Sequence, residues 1–320
     1  MLEFEYKKYN QIKDIPNDTK QIRLIDHIKG FNKYYKNDLL DILNSRDTSK
    51  KIEVHYHAYL PDVVKNSYPN LDIKFDIQSQ EELNLQAMHG YRYTGNNAYD
   101  NFICTLLGSM HVSRMLLASL MSKSQLWNDD YCTKNFKFNW DQVDGSIMDY
   151  TDNNEHIYNK FFIDHSDMDK KIVSIDYDHC NTLHNIHAIE PLIKNSCITI
   201  VAEAMGESYV PFVTEKFLQN IVTKTLFLGY SQPGWHQTLK EQYGFKLYDN
   251  IFNYSFDKIK NPVYRVIRLM EMISKFRYLT RHDWHEMYLT EQDNIEYNYN
   301  HYYSKEYLTC LKQFDKSNNA

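Results

Sequence analysis

Apolar and polar residues alternate along positions 51–59 (KIEVHYHAY) and 71–77 (LDIKFDI), the pattern of half-buried strands. Residues 21–28 read as a weaker strand, and residues 35–44 take helical spacing. Residues 102–107 (FICTLL) and 197–202 (CITIVA) are near-continuous apolar runs, as expected of parallel strands covered on both faces. Gly108 and Ser109 break the first run, and Val112, Met115, Leu116, Ser119 and Leu120 follow with a helical period. Thr214 is a good N-cap for a helix to about residue 224, with Phe217, Leu218, Ile221 and Val222 on one face. Residues 225–229 (TLFLG) predict the next strand and residues 239–243 a short helix. Gly244-Phe245 restarts a strand toward Leu247. Residues 263–276 predict a long amphipathic helix. The stretch 127–178 is polar and irregular, with short strand candidates at 136–140 and 172–175, and the Tyr- and His-rich end predicts helices capping the body.

Strands alternating with helices predict an α/β layer architecture, and the order of elements over 197–247 predicts a doubly wound parallel sheet. The chain divides into an N-terminal α/β unit over residues 1–95, a second over 96–280 and a helical tail over 281–320 that crosses back over the cleft. A length of 320 residues accommodates these units. The net charge of −6, from 36 basic and 42 acidic residues, disfavours a strongly basic nucleic-acid binder. Five scattered cysteines without a CxxC pair fit a reducing cytoplasm. The chain has no apolar run long enough to span a bilayer and no secretory h-region, so no membrane association is expected. Tyr reaches 27 while Gly is only 9, and with the many Asn, Lys and Ile residues this suggests an AT-rich coding genome, viral or microbial.

Chemistry concentrates in Phe212-Val213-Thr214-Glu215-Lys216, set between two predicted parallel strands. Ligands of such sheets bind beyond the carboxyl ends of the strands. Glu215 in the first helical turn suits the dipole and can accept both hydroxyls of a ribose. Lys216 opposes the dipole, which makes sense if an anion occupies the helix start. The bland alternative is a solvated Glu-Lys pair on a capped helix.

The wider context, Ile200-Val201-Ala202-Glu203, then Phe212 to Phe217, then Gln219-Asn220 and Leu226-Phe227-Leu228-Gly229, resembles the donor-binding block of the alpha-1,3-fucosyltransferases. Gly244-Phe245-Lys246 and Tyr254-Ser255-Phe256-Asp257 resemble the tail of fucosyltransferase-like proteins of phages. The resemblance spans about residues 101–276 and is specific over 197–257. It implies a glycosyltransferase built of two Rossmann-like domains (the GT-B arrangement), acting on a nucleotide-sugar donor such as a GDP- or UDP-sugar, with no further cofactor and no metal. Glu215 would hold the nucleotide ribose, Lys216 would neutralise the donor diphosphate, Phe212 would stack on the base, and Glu203 matches the Glu of the preceding strand. Ala204 stands where the family has Asn, and Pro211 where it has Asp, so base and sugar stay open.

Arg114, early in the helix after residues 102–107, resembles the diphosphate-binding Arg of the same families, and Gly108 and Ser109 beside it could offer backbone N–H groups. The rival reading is an ordinary exposed Arg. If the reaction inverts, a base from the N-terminal unit must deprotonate the acceptor hydroxyl. Asp62 follows a predicted strand and is the choice by position, against His57, Asp76, Glu81 and Glu82. The acceptor is a glycan or a modified base in nucleic acid. Two other readings stay open. Asp176 and Asp178 resemble the DxD signature of metal-dependent glycosyltransferases. A non-catalytic binding module would keep the fold alone. Cys180, His184 and His187 fit no strong zinc spacing and read as a His-rich loop; Tyr297, Tyr299, Tyr302 and Tyr303 read as packing or surface rather than an acceptor platform.

Overall fold

The computed structural model describes residues 2–5, 19–25, 43–46, 51–56, 66–75, 88–93, 95, 97–107, 112–124, 126, 132–136, 182–203, 211 and 213–309. Among them lie two four-stranded sheets, each parallel throughout, with helices: a mixed α/β architecture. The first sheet holds β1 (Leu2–Glu5), β2 (Gln21–Ile25), β3 (Ile52–Tyr56) and β4 (Leu71–Phe75), side by side in chain order. Its register aligns Ile22 with Val54 and Val54 with Ile73. Because side chains alternate across a strand, these three share one face, and all are buried. Gln21, Glu53 and Asp72 form a row on the other face. There the His55 ring lies 2.7 Å from the Glu53 carboxylate, to which Gln21 donates at 3.2 Å.

The second unit runs β5 (Asn101–Leu107), α1 (Val112–Lys123), β6 (Cys132–Phe136), α2 (Thr182–Lys194), β7 (Ser196–Ala202), α3 (Glu215–Val222), β8 (Leu226–Tyr230) and α4 (Trp235–Glu241). The spatial order is β6-β5-β7-β8. A 3-10 turn at Tyr254–Lys258 leads to α5 (Pro262–Ser274), α6 (Arg281–Thr290) and α7 (Gln292–Tyr302). Every residue of β7 and β8 is buried, as their unbroken apolar runs require. The predicted stripe of α3, Phe217, Leu218, Ile221 and Val222, packs into a core that extends along the chain from Met88 to Tyr307. Phe217 meets Phe245 edge-on at 5.2 Å and Trp235 at 6.2 Å.

Three expectations need correction. The His-rich stretch is not a loop throughout: His184 and His187 belong to α2, whose Ile186, Ile189 and Ile193 are buried at helical spacing. Pro191 inside that helix hid the period. Residues 244–248 form no strand. The Asn298 side chain takes the place of a neighbouring strand, accepting from Lys246 N–H at 2.7 Å and donating to Lys246 C=O at 2.9 Å. The short helix begins earlier than expected, at Trp235, because Gly234 takes the left-handed conformation that opens it (φ 77°). A strand lies at Cys132–Phe136, and of the strand expected over 136–140 the residues after Phe136 lie outside the described residues.

The described part of the tail, residues 281–309, is helical as expected, and the contacts of its first two helices include the amino ends of the second sheet. Arg281 pairs with Asp100 just before β5 (3.2 Å), and Glu296 with Lys224 just before β8 (2.7 Å). Trp284 stacks on Phe102 with ring centroids 5.5 Å apart.

Candidate functional site

The chain leaves β5 for β6 on one side, then enters β7 on the other side of β5 and goes on to β8. Successive connections therefore diverge between β5 and β7, and the carboxyl ends of strands at such a divergence are where open parallel sheets bind ligands. Arg114 follows β5, Glu203 follows β7, and Thr214 and Lys216 open α3 beside them.

Thr214 is the N-cap, with extended backbone (φ −119°, ψ 177°), and its hydroxyl accepts from Lys216 N–H at 3.3 Å. The same oxygen accepts from the Lys216 ammonium at 3.0 Å and donates to Glu203 Oε2 at 2.6 Å. One donor and two acceptor positions are all a hydroxyl has, so Thr214 is fully engaged. Glu203 is entirely buried. Its backbone N–H extends the β7–β8 ladder to Tyr230 C=O, its Oε1 accepts from Thr214 N–H at 3.1 Å, and its Oε2 lies 3.5 Å from the Lys216 ammonium. A buried carboxylate needs such partners to offset its desolvation, and the positive end of α3 adds to them. The Lys216 side chain keeps 28% of its exposure, so its ammonium is part-exposed while it touches Glu203.

Arg114 is buried, at 3% exposure. Its Nε and Nη2 both donate to the carbonyl of Ala202, the last residue of β7, at 3.0 and 2.8 Å. It is thus no ordinary exposed Arg: the guanidinium ties the first turn of α1, the helix that follows β5, to the end of β7. The fold brings Arg114, Glu203, Thr214 and Lys216 together from positions up to about a hundred residues apart. Glu215 is the first residue of α3. Phe212, Asp62, Gly108, Ser109, His57, Asp76, Glu81, Glu82, Asp176 and Asp178 lie outside the described residues, as do Cys180 and Ala204. His187 is exposed on α2. Tyr299 sits under the Lys224 ammonium (4.4 Å) at the opposite end of the sheet, and Tyr302 is buried in the core.

One cluster carries no periodic signal in the sequence. His236 Nε2 accepts from Gly229 N–H at 2.9 Å, which puts its proton on Nδ1, donated to Asp257 at 2.8 Å. Asp257 also accepts from the N–H groups of His236 (3.2 Å) and Gln237 (3.3 Å), capping α4. Beyond β8, the Ser231 hydroxyl donates to Gln232 Oε1, and both residues are buried.

No group of three or more His, Cys, Asp or Glu side chains placed to hold a metal occurs among the described residues, and none of their helices is long and apolar enough to cross a membrane. No protein-family model matches the chain, and no curated protein matches it significantly.

Proposed function

We propose that the chain is a glycosyltransferase that moves a sugar from a nucleotide-diphosphate donor to an acceptor hydroxyl, its two α/β units forming a GT-B-like pair of Rossmann-like domains. The observation that carries this reading is the Lys216 ammonium, part-exposed at the start of a capped helix beside the divergence of a parallel sheet. Breaking the bond from the anomeric carbon to the diphosphate puts negative charge on the leaving group. A cation and helix N–H groups held where that charge forms lower the barrier. Lys216 supplies the cation in this reading. Glu215 on the same turn is the ribose partner, with Phe212 against the base, and Asp62 is the acceptor base on the N-terminal side. Arg114 serves by holding the end of β7, since its described contacts are to the Ala202 carbonyl. The acceptor class is a glycan or a modified nucleic-acid base.

A thermal-shift screen of GDP-, UDP-, ADP- and CMP-sugars tests this. A donor at about a hundred times its dissociation constant adds about 2.7 kcal/mol to stability. One nucleotide should raise the melting temperature by several degrees, and Lys216→Ala should lose that shift. No shift with any nucleotide sugar would overturn the reading. A second reading, a module that binds a nucleotide without transfer, is favoured by the inward engagement of Glu203 and Arg114. Donor binding with no release of nucleoside diphosphate in the presence of any acceptor would select it.

A further inference from the structure

We propose that Glu203 is an internal counter-anion of this site: its carboxylate holds the ammonium and the helix start that a donor diphosphate needs, so a ligand binds by drawing Lys216 away from Glu203. The inference rests on the diphosphate reading above and adds to it a rule of selection. Glu203 is fully buried, bonded to Thr214 through both oxygens, and 3.5 Å from the ammonium. Its negative charge therefore sits where the positive ends of α3 and Lys216 converge. An incoming anion meets this carboxylate as a competitor and a like charge. A singly charged ligand gains little by replacing one negative charge with another. A diphosphate brings more charge than a carboxylate and wins the ammonium. Lys216 is suited to the exchange, because its stem is flexible, its head is part-exposed, and the Thr214 hydroxyl keeps capping the backbone when the ammonium leaves. Glu203 is thus a positioning residue that sets a charge threshold for the donor.

The test measures the affinity of the full chain for inorganic pyrophosphate and for inorganic phosphate. Wild type is compared with Glu203→Gln, which keeps the shape and loses the charge, and with Glu203→Asp, which keeps the charge. Loss of one buried negative charge a few ångströms away should tighten pyrophosphate binding roughly tenfold or more. It should also shrink the preference for pyrophosphate over phosphate, while Glu203→Asp stays close to wild type. A residue that only supports the fold would alter melting temperature and leave that preference unchanged. Binding to Glu203→Gln without detectable binding to wild type supports the proposal in its strongest form. Pyrophosphate binding to wild type with equal or weaker binding to a folded Glu203→Gln overturns it and leaves the glycosyltransferase reading standing. No binding to any of the three overturns both. Should Glu203→Gln fail to fold, a structure of wild type with pyrophosphate decides: the ammonium turned from Glu203 onto a phosphate oxygen supports the proposal, and an ammonium still on Glu203 beside bound pyrophosphate overturns it.

Discussion

Thr214 joins three partners through one hydroxyl, and its replacement reports on all of them. Thr214→Val should cost about 2 kcal/mol in chemical denaturation, since a helix cap and a bond to a buried carboxylate go together. Lys216→Ala should cost about 1–3 kcal/mol beyond its effect on ligand binding, because Glu203 loses its ammonium. At Gly229 a Cβ would lie 2.3 Å from the Trp235 ring. Gly229→Ala should therefore cost about 1–3 kcal/mol, read from the melting temperature. Burial pushes the Cys197 thiol up to about 12, so it should resist alkylation at pH 8 until the protein unfolds. What could be read at this scale was local. The Thr214 cap lies two residues from Lys216 and follows from side-chain chemistry alone. The partners of Arg114 and Glu203 could not be read, because the first reaches across 88 positions and the second across 11. The same holds for His236 and Asp257, 21 positions apart with no repeating spacing between them.

Elements were legible where their burial was one-sided or complete. The stripe of α3 and the apolar runs of β5, β7 and β8 announce themselves; α2 did not, because Pro191 and four polar or charged neighbours blur its isoleucine spacing. Residues 244–248 look like a strand by composition, yet they find their partner in a side chain of α7. That helix grips the segment through Asn294 on Leu247 C=O, Asn298 on Lys246 and His301 on Tyr243 C=O (2.7 Å). Asn298→Ala should cost about 1–3 kcal/mol and speed amide exchange at Lys246, since a strand-like segment loses both of its bonds. The end of α7 also covers His89, whose ring lies 4.6 Å from Tyr302 and 5.6 Å from Tyr303. Burial first, and the Arg92 charge second, hold the His89 pKa below the ordinary 6.5. The folded state therefore favours the neutral ring. Its contribution is fully present above pH 6.5 and is lost as pH falls through the depressed value. Exchange of α7 amides, corrected for intrinsic rates, should quicken between pH 7 and pH 5, and His89→Gln should remove that dependence.

Two parallel sheets of four strands carry the described part of the molecule, and they differ in kind. In the second, β7 and β8 are buried on both faces, as strands of parallel sheets are when helices flank them. The first presents a buried row, Ile22, Val54 and Ile73, and opposite it a polar row, Gln21, Glu53 and Asp72. The strict alternation of residues 51–59 and 71–77 foretold that division. It could not foretell that Leu2–Glu5 adds a further strand beside Gln21–Ile25. The tail is fastened at the amino ends by Arg281 and Glu296. Among the described strands β8 is the outermost of its sheet, and Tyr230 points its carbonyl toward β7, so the N–H of Gly229, one residue back, points outward. Outermost strands with unpaired amides invite a second chain to add itself there and to grow fibrils. The imidazole of His236 stands on that amide, and the Trp235 ring covers the carbon beside it. His236→Ala should make concentrated solutions turn turbid on mild heating well before the wild type does, measured by light scattering, because the imidazole on the Gly229 amide would no longer stand between one molecule and the next.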